Sequence, residues 1–237
     1  MQQKTNGIIL QNTKFQDKKN ILKVYTLQQG IQSYVVNVGH SKKSKIKSAH
    51  IISLNQVEFI EQIKKTRSIQ LISDIHVSYI YQHLFSNPVK NTIAIFLNEI
   101  LVKALREQPE NSELYTFIAE SLIVFDNQDY EASNFHLHFL VELSKYLGFY
   151  PNNNYSKINC LFDIQDGNFT AQTPHHAFYA DSELSFHLSE LLNNKSNFSC
   201  TSKTRADLLN LLVILYRLHI PGFGEIKSIQ ILKEILA

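Results

Sequence analysis

Apolar positions recur every second residue up to His76 and every third to fourth residue beyond it. Within the first part, Ile8 to Leu10 begins a strand, and Gly7 at its start permits a close backbone approach. Phe15 to Asn20 breaks the apolar pattern with a polar, Lys-rich turn. Ile21 to Thr26 alternates, with Leu22 and Val24 on one face and Lys23 and Tyr25 on the other. Gln28-Gln29-Gly30 is a tight connection in which Gly30 is available for positive φ. Ile31 to Val38, rich in β-branched and aromatic residues, predicts a third strand that Gly39 ends. His50 to Ile63, carrying Ile52, Leu54 and Val57, predicts a fourth, and Ile69 to Ile75 a fifth. Five short consecutive strands in about 70 residues fit a small closed barrel, because a sandwich usually needs about seven.

The later pattern is helical. Pro88 suits a helix start, where its missing N–H costs nothing, and Ile93, Phe96, Leu97, Ile100, Leu101, Ala104 and Leu105 form one apolar stripe. Pro109 ends that element, and Ser112 is placed to cap a second, whose stripe is Leu114, Phe117, Ile118, Leu122 and Phe125. A third helix carries Phe135, Phe139, Leu140, Leu143 and Leu147, with Gly148 as its stop and Pro151 beyond. Asn152 to Phe178 breaks the period, and Asp166-Gly167-Asn168 between short apolar pieces predicts a small hairpin. Helical spacing returns at Leu184–Leu192, Leu208–Leu218 and Ile226–Leu236. Stripes this wide mean helices buried on one another. The reading is an α+β protein. A barrel spans residues 1–78, and an α-helical bundle domain with a small irregular insertion at 152–180 spans residues 79–237.

Charge divides near the same boundary. Residues 1–67 hold 12 Lys and Arg against 3 Asp and Glu, whereas residues 68–237 hold 11 against 18. The overall +2 therefore conceals a basic head on an acidic body, and a concentrated positive field attracts polyanions. A chain of 237 residues with 44% hydrophobic content can bury a real core, which excludes global disorder. No N-terminal segment resembles a secretion signal. The longest apolar run, Leu208 to Leu218, is interrupted by Asn210 and Arg217 and is too short for a bilayer. Two cysteines forty residues apart provide no disulfide framework, so a cytoplasmic protein without membrane association is expected.

The basic residues are the candidate chemistry. Lys14, Lys18, Lys19 and Lys23 surround the first turn and the second strand. Lys42, Lys43, Lys45 and Lys47 occupy one loop, and Lys64, Lys65 and Arg67 another. Tyr25 and Tyr34 lie on strands near these charges, and Tyr25 is expected to hold its ring by the path of a bound nucleic acid. A positive groove with aromatic platforms is the chemistry of single-stranded nucleic-acid binding on an OB-fold barrel. Lysine rather than arginine favours point-charge contact with phosphates over bidentate reading of bases, so the binding expected is independent of sequence. A solvated loop is the competing reading of the Lys42–Lys47 run.

Catalytic signatures are absent: the chain has no phosphate-binding Gly-rich loop, H-E-x-x-H, nucleophile elbow or Cys-x-x-Cys. His136 and His138, two apart on a helix, face different ways and read as structural. Cys160, His175, His176 and Cys200 carry zinc-ligand chemistry, but only the histidines are paired. Two free cysteines are the preferred reading, with no metal and no cofactor. The rivals to a DNA-binding factor are a nuclease, which needs clustered carboxylates and a divalent metal, and a protein adaptor whose basic head binds an acidic partner.

A series of short motifs runs in order over nearly the whole chain. Gly7-Ile-Ile-Leu10, then Phe15-Gln-Asp-Lys-Lys-Asn-Ile-Leu22, then Val24-Tyr-Thr26 and Gly30, resembles the opening of the RecO family of bacterial recombination mediators. Phe96-Leu-Asn-Glu-Ile-Leu101, Tyr146-Leu-Gly-Phe149, and the Leu-rich 208–218 followed by Lys227-Ser-Ile-Gln-Ile-Leu232 resemble its later helices. The resemblance implies an N-terminal OB-fold, a C-terminal helical domain and a non-enzymatic role. That role is to bind single- and double-stranded DNA, anneal complementary strands, join RecR, and help RecA replace single-strand-binding protein (SSB). It also implies that the helical domain docks the acidic, Phe-terminated tail of SSB. Phe139, Leu143 and Lys145 of the third helix offer an apolar pocket and a cation for that tail, and His138 adds charge when protonated. A solvated Lys145 is the equal alternative. Two features depart from the family. Only Cys160 and Cys200 stand where many members have a four-cysteine zinc module. Leu137 and His138 stand where some members place paired arginines.

Overall fold

The first strand organises the barrel. The protein is described from a computed structural model over residues 2–39, 46–63, 69–106, 109–128, 132–193 and 198–237. β1 (Gln2–Gln16) is long enough to serve two partners. Gln2 to Ile8 pairs antiparallel with β4 (Gln56–Gln62), and Gly7 to Gln16 pairs antiparallel with β2 (Lys19–Thr26). Gly7 lies in the overlap, where a Cβ would run into the Val24 side chain and the Phe59 ring, so only glycine fits. β3 (Gly30–Asn37) follows β2 and pairs in parallel with β5 (Gln70–Val77), which pairs antiparallel with β4. The order β1-β2-β3-β5-β4 closes into a barrel of the OB type. Leu22, Val24, Tyr34, Val36, Val57, Phe59, Ile72 and Ile75 are buried in its core.

The expected fourth strand, His50 to Ile63, divides. A 3-10 turn spans Ser48–Ile51, Leu54 adopts positive φ (68°), and β4 begins only at Gln56. The spacing of Ile52 and Leu54 imitates a strand, yet Ile52 is exposed while Leu54 is buried. Leu54 is held there by its N–H donating to the Ile9 carbonyl (2.6 Å) and by its own carbonyl accepting from the Tyr81 hydroxyl (3.3 Å). Neither partner is local in sequence.

Two compact units form: Met1–Asn87 with Leu97–Asn127, and Pro88–Phe96 with Gln128–Ala237. The reading from sequence set its boundary after residue 78, between strands and helices, whereas the first compact unit groups α2 (Ser112–Asn127) with the strands. Three polar ties account for that grouping. The Tyr25 hydroxyl donates to the Asn111 carbonyl (3.2 Å), and Gln56 Nε2 donates to the Ala119 carbonyl (2.8 Å). The buried Asp126 carboxylate accepts from the N–H groups of Gln82, His83 and Leu84 at 2.8, 2.8 and 2.6 Å. The cap of α2 is Asn111, whose Oδ1 accepts from the Leu114 N–H (2.9 Å); Ser112 is already the first helical residue.

α1 (Pro88–Ala104) contributes to both units. The second holds α3 (Phe135–Tyr146), α4 (Ser182–Asn193), α5 (Ser202–His219) and the short α6 (Ile229–Ile235). The insertion forms a small sheet of β6 (Leu161–Asp163), β7 (Asn168–Thr170) and β8 (Tyr179–Ala180) in the order β7-β6-β8. Asp163 Oδ1 accepts from the N–H groups of Gln165 and Asp166 to shape the hairpin turn, which Gly167 completes at φ 65°. Tyr216, fully buried on α5, donates to the Leu140 carbonyl of α3 (2.7 Å). Among the described residues no helix is long and apolar enough to cross a membrane.

His136 has no exposure, its ring meets Phe96 edge-on at 6.1 Å, and among the described residues neither ring nitrogen has a hydrogen-bond partner. Burial first, then the nearby Arg205 and His138, pushes its pKa down from 6.5 to about 3. The unfolded chain therefore takes up a proton between about pH 6.5 and 3 that the folded chain refuses, so stability falls with falling pH across that window. Urea unfolding of the wild type is expected to weaken below pH 6.5 by at most about 1.4 kcal/mol per pH unit. His136→Leu is expected to remove that contribution, and identical pH slopes for the two proteins would exclude His136 as its source.

Candidate nucleic-acid interface

The hairpin of β1 and β2 carries the candidates Lys14, Lys18, Lys19 and Lys23. The ladder of β1 with β4 ends at Ile8, and among the described residues the strand pairing of Gln11 to Gln16 is with β2. Every residue from Gln11 to Lys19 is exposed. Lys14, Lys18 and Lys19 share this hairpin, where Asp17 is the sole acidic residue. Among the described residues, none of the three has a carboxylate partner. Lys4, at the other end of β1, is instead neutralised by Glu58 at 2.7 Å. The hairpin is braced by Asn20 Nδ2 donating to Asn12 Oδ1 (2.6 Å) and Asn12 Nδ2 donating to the Ile51 carbonyl (3.1 Å). A shallow hollow beside its tip is lined by Gln16, Asp17, Lys18, Lys19 and Asn37. Open lysines on a braced hairpin suit phosphate contact without base reading.

Lys23 is less free than the other three. It is half-buried, and desolvation, followed by repulsion from Arg106, holds its pKa below the usual lysine range. Only the fold brings Arg106 near Lys23. Lys47 is exposed beside the 3-10 turn. Lys42, Lys43, Lys45, Lys64, Lys65 and Arg67 lie outside the described residues.

The two tyrosines expected as platforms are buried. Tyr25 has no exposure and sits 6.1 Å from the Tyr115 ring, and Tyr34, 1% exposed, meets Phe59 edge-on at 5.0 Å. Burial pushes both phenols up, aided at Tyr34 by the Glu61 carboxylate. The alternation argument placed Tyr25 opposite Leu22 and Val24, on a face taken to be solvent. That face is covered by α2, so both faces of the strand end are buried and parity says nothing about exposure there. The exposed aromatic of the hairpin is Phe15, which the sequence reading treated as the edge of a turn. Its signal was legible, since it is the only apolar residue from Gln11 to Asn20.

On α3 the four residues expected to receive an acidic tail separate. Phe139 (3% exposed) and Leu143 (0%) face the interior, while His138 is half-buried and Lys145 exposed. A seven-residue spacing puts His138 and Lys145 on one face, with Glu142 between them. The pocket expected from Phe139, Leu143 and Lys145 is therefore not presented, because its apolar members are consumed by the core. Near the insertion, His176 is engaged by Asp163 Oδ2 (3.2 Å) and by the Phe178 N–H (3.2 Å), and Cys200 Sγ contacts Asn134 Oδ1 (3.7 Å).

The comparisons with known proteins agree with this architecture. The family model for the recombination protein O N terminal matches residues 1–81, and that for the recombination protein O C terminal matches residues 85–228. The chain is similar to the DNA repair protein RecO of Phocaeicola vulgatus, at 34% identity over the full length of both chains. It is likewise similar to the DNA repair protein RecO of Azobacteroides pseudotrichonymphae, at 35% identity over 98% of each chain. That of Flavobacterium johnsoniae is 34% identical over the full length of both. With both family models in sequence order and relatives matched from end to end, this chain belongs to the recombination protein O family of DNA repair proteins.

Proposed function

We propose that this protein binds DNA without regard to sequence through the β1–β2 hairpin of its barrel and anneals complementary strands. By doing so it helps load a recombinase on single-stranded DNA coated with SSB. The observation that carries the reading is the exposure of Lys14, Lys18 and Lys19 together, with Asp17 the one acid among them. The activity is one of binding rather than of bond-making, in the cytoplasm where DNA and its repair partners meet. RecR, the SSB tail and, indirectly, RecA are the partners this reading names. Lys145 is the exposed cation of α3 that an acidic tail would meet, which titration of a tail peptide against Lys145→Ala tests.

Replacing Lys14, Lys18 and Lys19 together by Gln is expected to lower the affinity for a labelled single strand and flatten its salt dependence. Each lost phosphate contact removes roughly 0.7 from the log–log slope. Annealing of complementary strands, bare and SSB-coated, is expected to slow in parallel. An unchanged slope would remove the hairpin from the interface. Absence of DNA binding by the wild type at moderate salt would favour a protein adaptor, and magnesium-dependent cleavage of the strand a nuclease.

A further inference from the structure

β1 carries two bulges. Its ladder with β2 skips Leu10, between the pairs Ile9–Val24 and Gln11–Lys23, and skips Phe15, between Lys14–Asn20 and Gln16–Lys19. A bulge leaves one residue without an opposite number and re-aims its side chain. The first turns Leu10 inward, where it is 1% exposed. The second lies where both faces of the hairpin are exposed, and Phe15 there is 57% exposed. Among the described residues no other ring contacts it, and its neighbours from Gln11 to Asn20 are all polar or charged. A large ring in such a setting contributes nothing to a core, and a polar residue would serve the bulge equally well.

The surroundings select the ligand. Lys14 precedes the ring and Lys18 and Lys19 follow it across the turn, all exposed. A single flat apolar surface flanked by cations matches a chain of flat bases joined by regularly spaced phosphates. A protein partner docking through apolar contact would ask for a cluster of apolar side chains, whereas residues 11–20 offer a single one, Phe15. We propose that Phe15 is the stacking platform of the hairpin for an unpaired base, with the three lysines taking the adjoining phosphates. The proposal rests on the reading of the hairpin as a DNA contact and assigns it a strand preference. In duplex DNA the base faces are already occupied, so the ring contributes to single-strand binding alone.

The chain contains no tryptophan, so Phe15→Trp introduces one emitter at the site. Its fluorescence is expected to be quenched by oligothymidylate with the same dissociation constant that labelled DNA reports. Phe15→Ala is expected to weaken oligothymidylate binding about 5- to 150-fold. The salt slope, the duplex affinity and the unfolding midpoint are expected to stay at wild-type values. Wild-type affinity of Phe15→Ala for single strands, or an equal loss on duplex, would overturn the stacking role. If the Lys14, Lys18 and Lys19 triple variant weakens binding while Phe15→Ala does not, stacking alone is overturned. If neither changes DNA binding, the hairpin reading falls with it.

Discussion

Tyr25→Ala is expected to lower folding stability by about 3–5 kcal/mol while leaving the DNA affinity of the remaining folded protein unchanged. The side chain has no exposure, its ring lies 6.1 Å from that of Tyr115, and its hydroxyl donates to the Asn111 carbonyl at 3.2 Å. Truncation removes the ring from a buried site that cannot collapse onto it, because β2 is paired on both sides by β1 and β3. It also removes one donor from the Asn111 carbonyl, which keeps the Tyr115 N–H. Tyr25→Phe separates the two effects and is expected to cost only about 1 kcal/mol, the usual net worth of one hydrogen bond. Equilibrium unfolding in urea measures both, and binding of labelled DNA at a temperature where each variant is folded supplies the second readout. Weakened DNA binding with unchanged stability would show that the ring reaches DNA after all.

Asp126→Ala is expected to destabilise by a similar amount, about 3–5 kcal/mol, through a different mechanism. One buried carboxylate accepts three consecutive backbone N–H groups, those of Gln82, His83 and Leu84. These residues join the last barrel strand to α1, and no regular element satisfies their donors. Removing the carboxylate orphans all three at roughly 1–3 kcal/mol each, less whatever entering water recovers. Burial alone would raise the pKa of Asp126, but the three N–H bonds and the nearby His83 outweigh it and hold the carboxyl below its usual value of 3.8. The sign follows from that depression. The stabilisation is complete above the unfolded value and is lost as pH falls through the lower folded one, so it is fully present at neutral pH. Asp126→Asn is expected to cost less than Ala but more than 1 kcal/mol, since its amide keeps one acceptor and loses the charge. Urea midpoints at pH 7 compare the three proteins, and an Ala variant as stable as wild type would mean that the donors find other partners.

Much of the architecture was legible because it is written in local periodicities. The alternation of Ile21 to Thr26 and the β-branched run from Ile31 identified β2 and β3, and Pro88 and Gly148 marked helix ends through their own backbone chemistry. The Asp166-Gly167-Asn168 turn appeared as expected, for the same reason. The lysines of the first hairpin were placed at the surface by charge alone, since three adjacent ammonium groups cannot be buried without partners. Leu54 and Ile52 were misread because their spacing fits a strand, while the bend they form is held by Ile9 and Tyr81, distant in the chain.

What the sequence determined by itself is the class of most segments, the basic character of the barrel and the family to which the chain belongs. Each rests on composition, on short-range period or on motif order, none of which requires knowing what covers what. Only the tertiary structure decided which aromatic residues are available to a ligand. Tyr25 shares β2 with Lys19 and Lys23, and Tyr34 lies on the neighbouring β3, yet both are covered, one by α2 and one by the barrel core. Phe15 is exposed because both faces of the hairpin from Gln11 to Lys19 are left uncovered. On α3 the same holds for Phe139 and Leu143, which the core takes and which leave only His138 and Lys145 toward solvent. A side chain's type follows from its own position in the chain, but its exposure is set by elements that arrive from elsewhere, and function at a surface depends on the second.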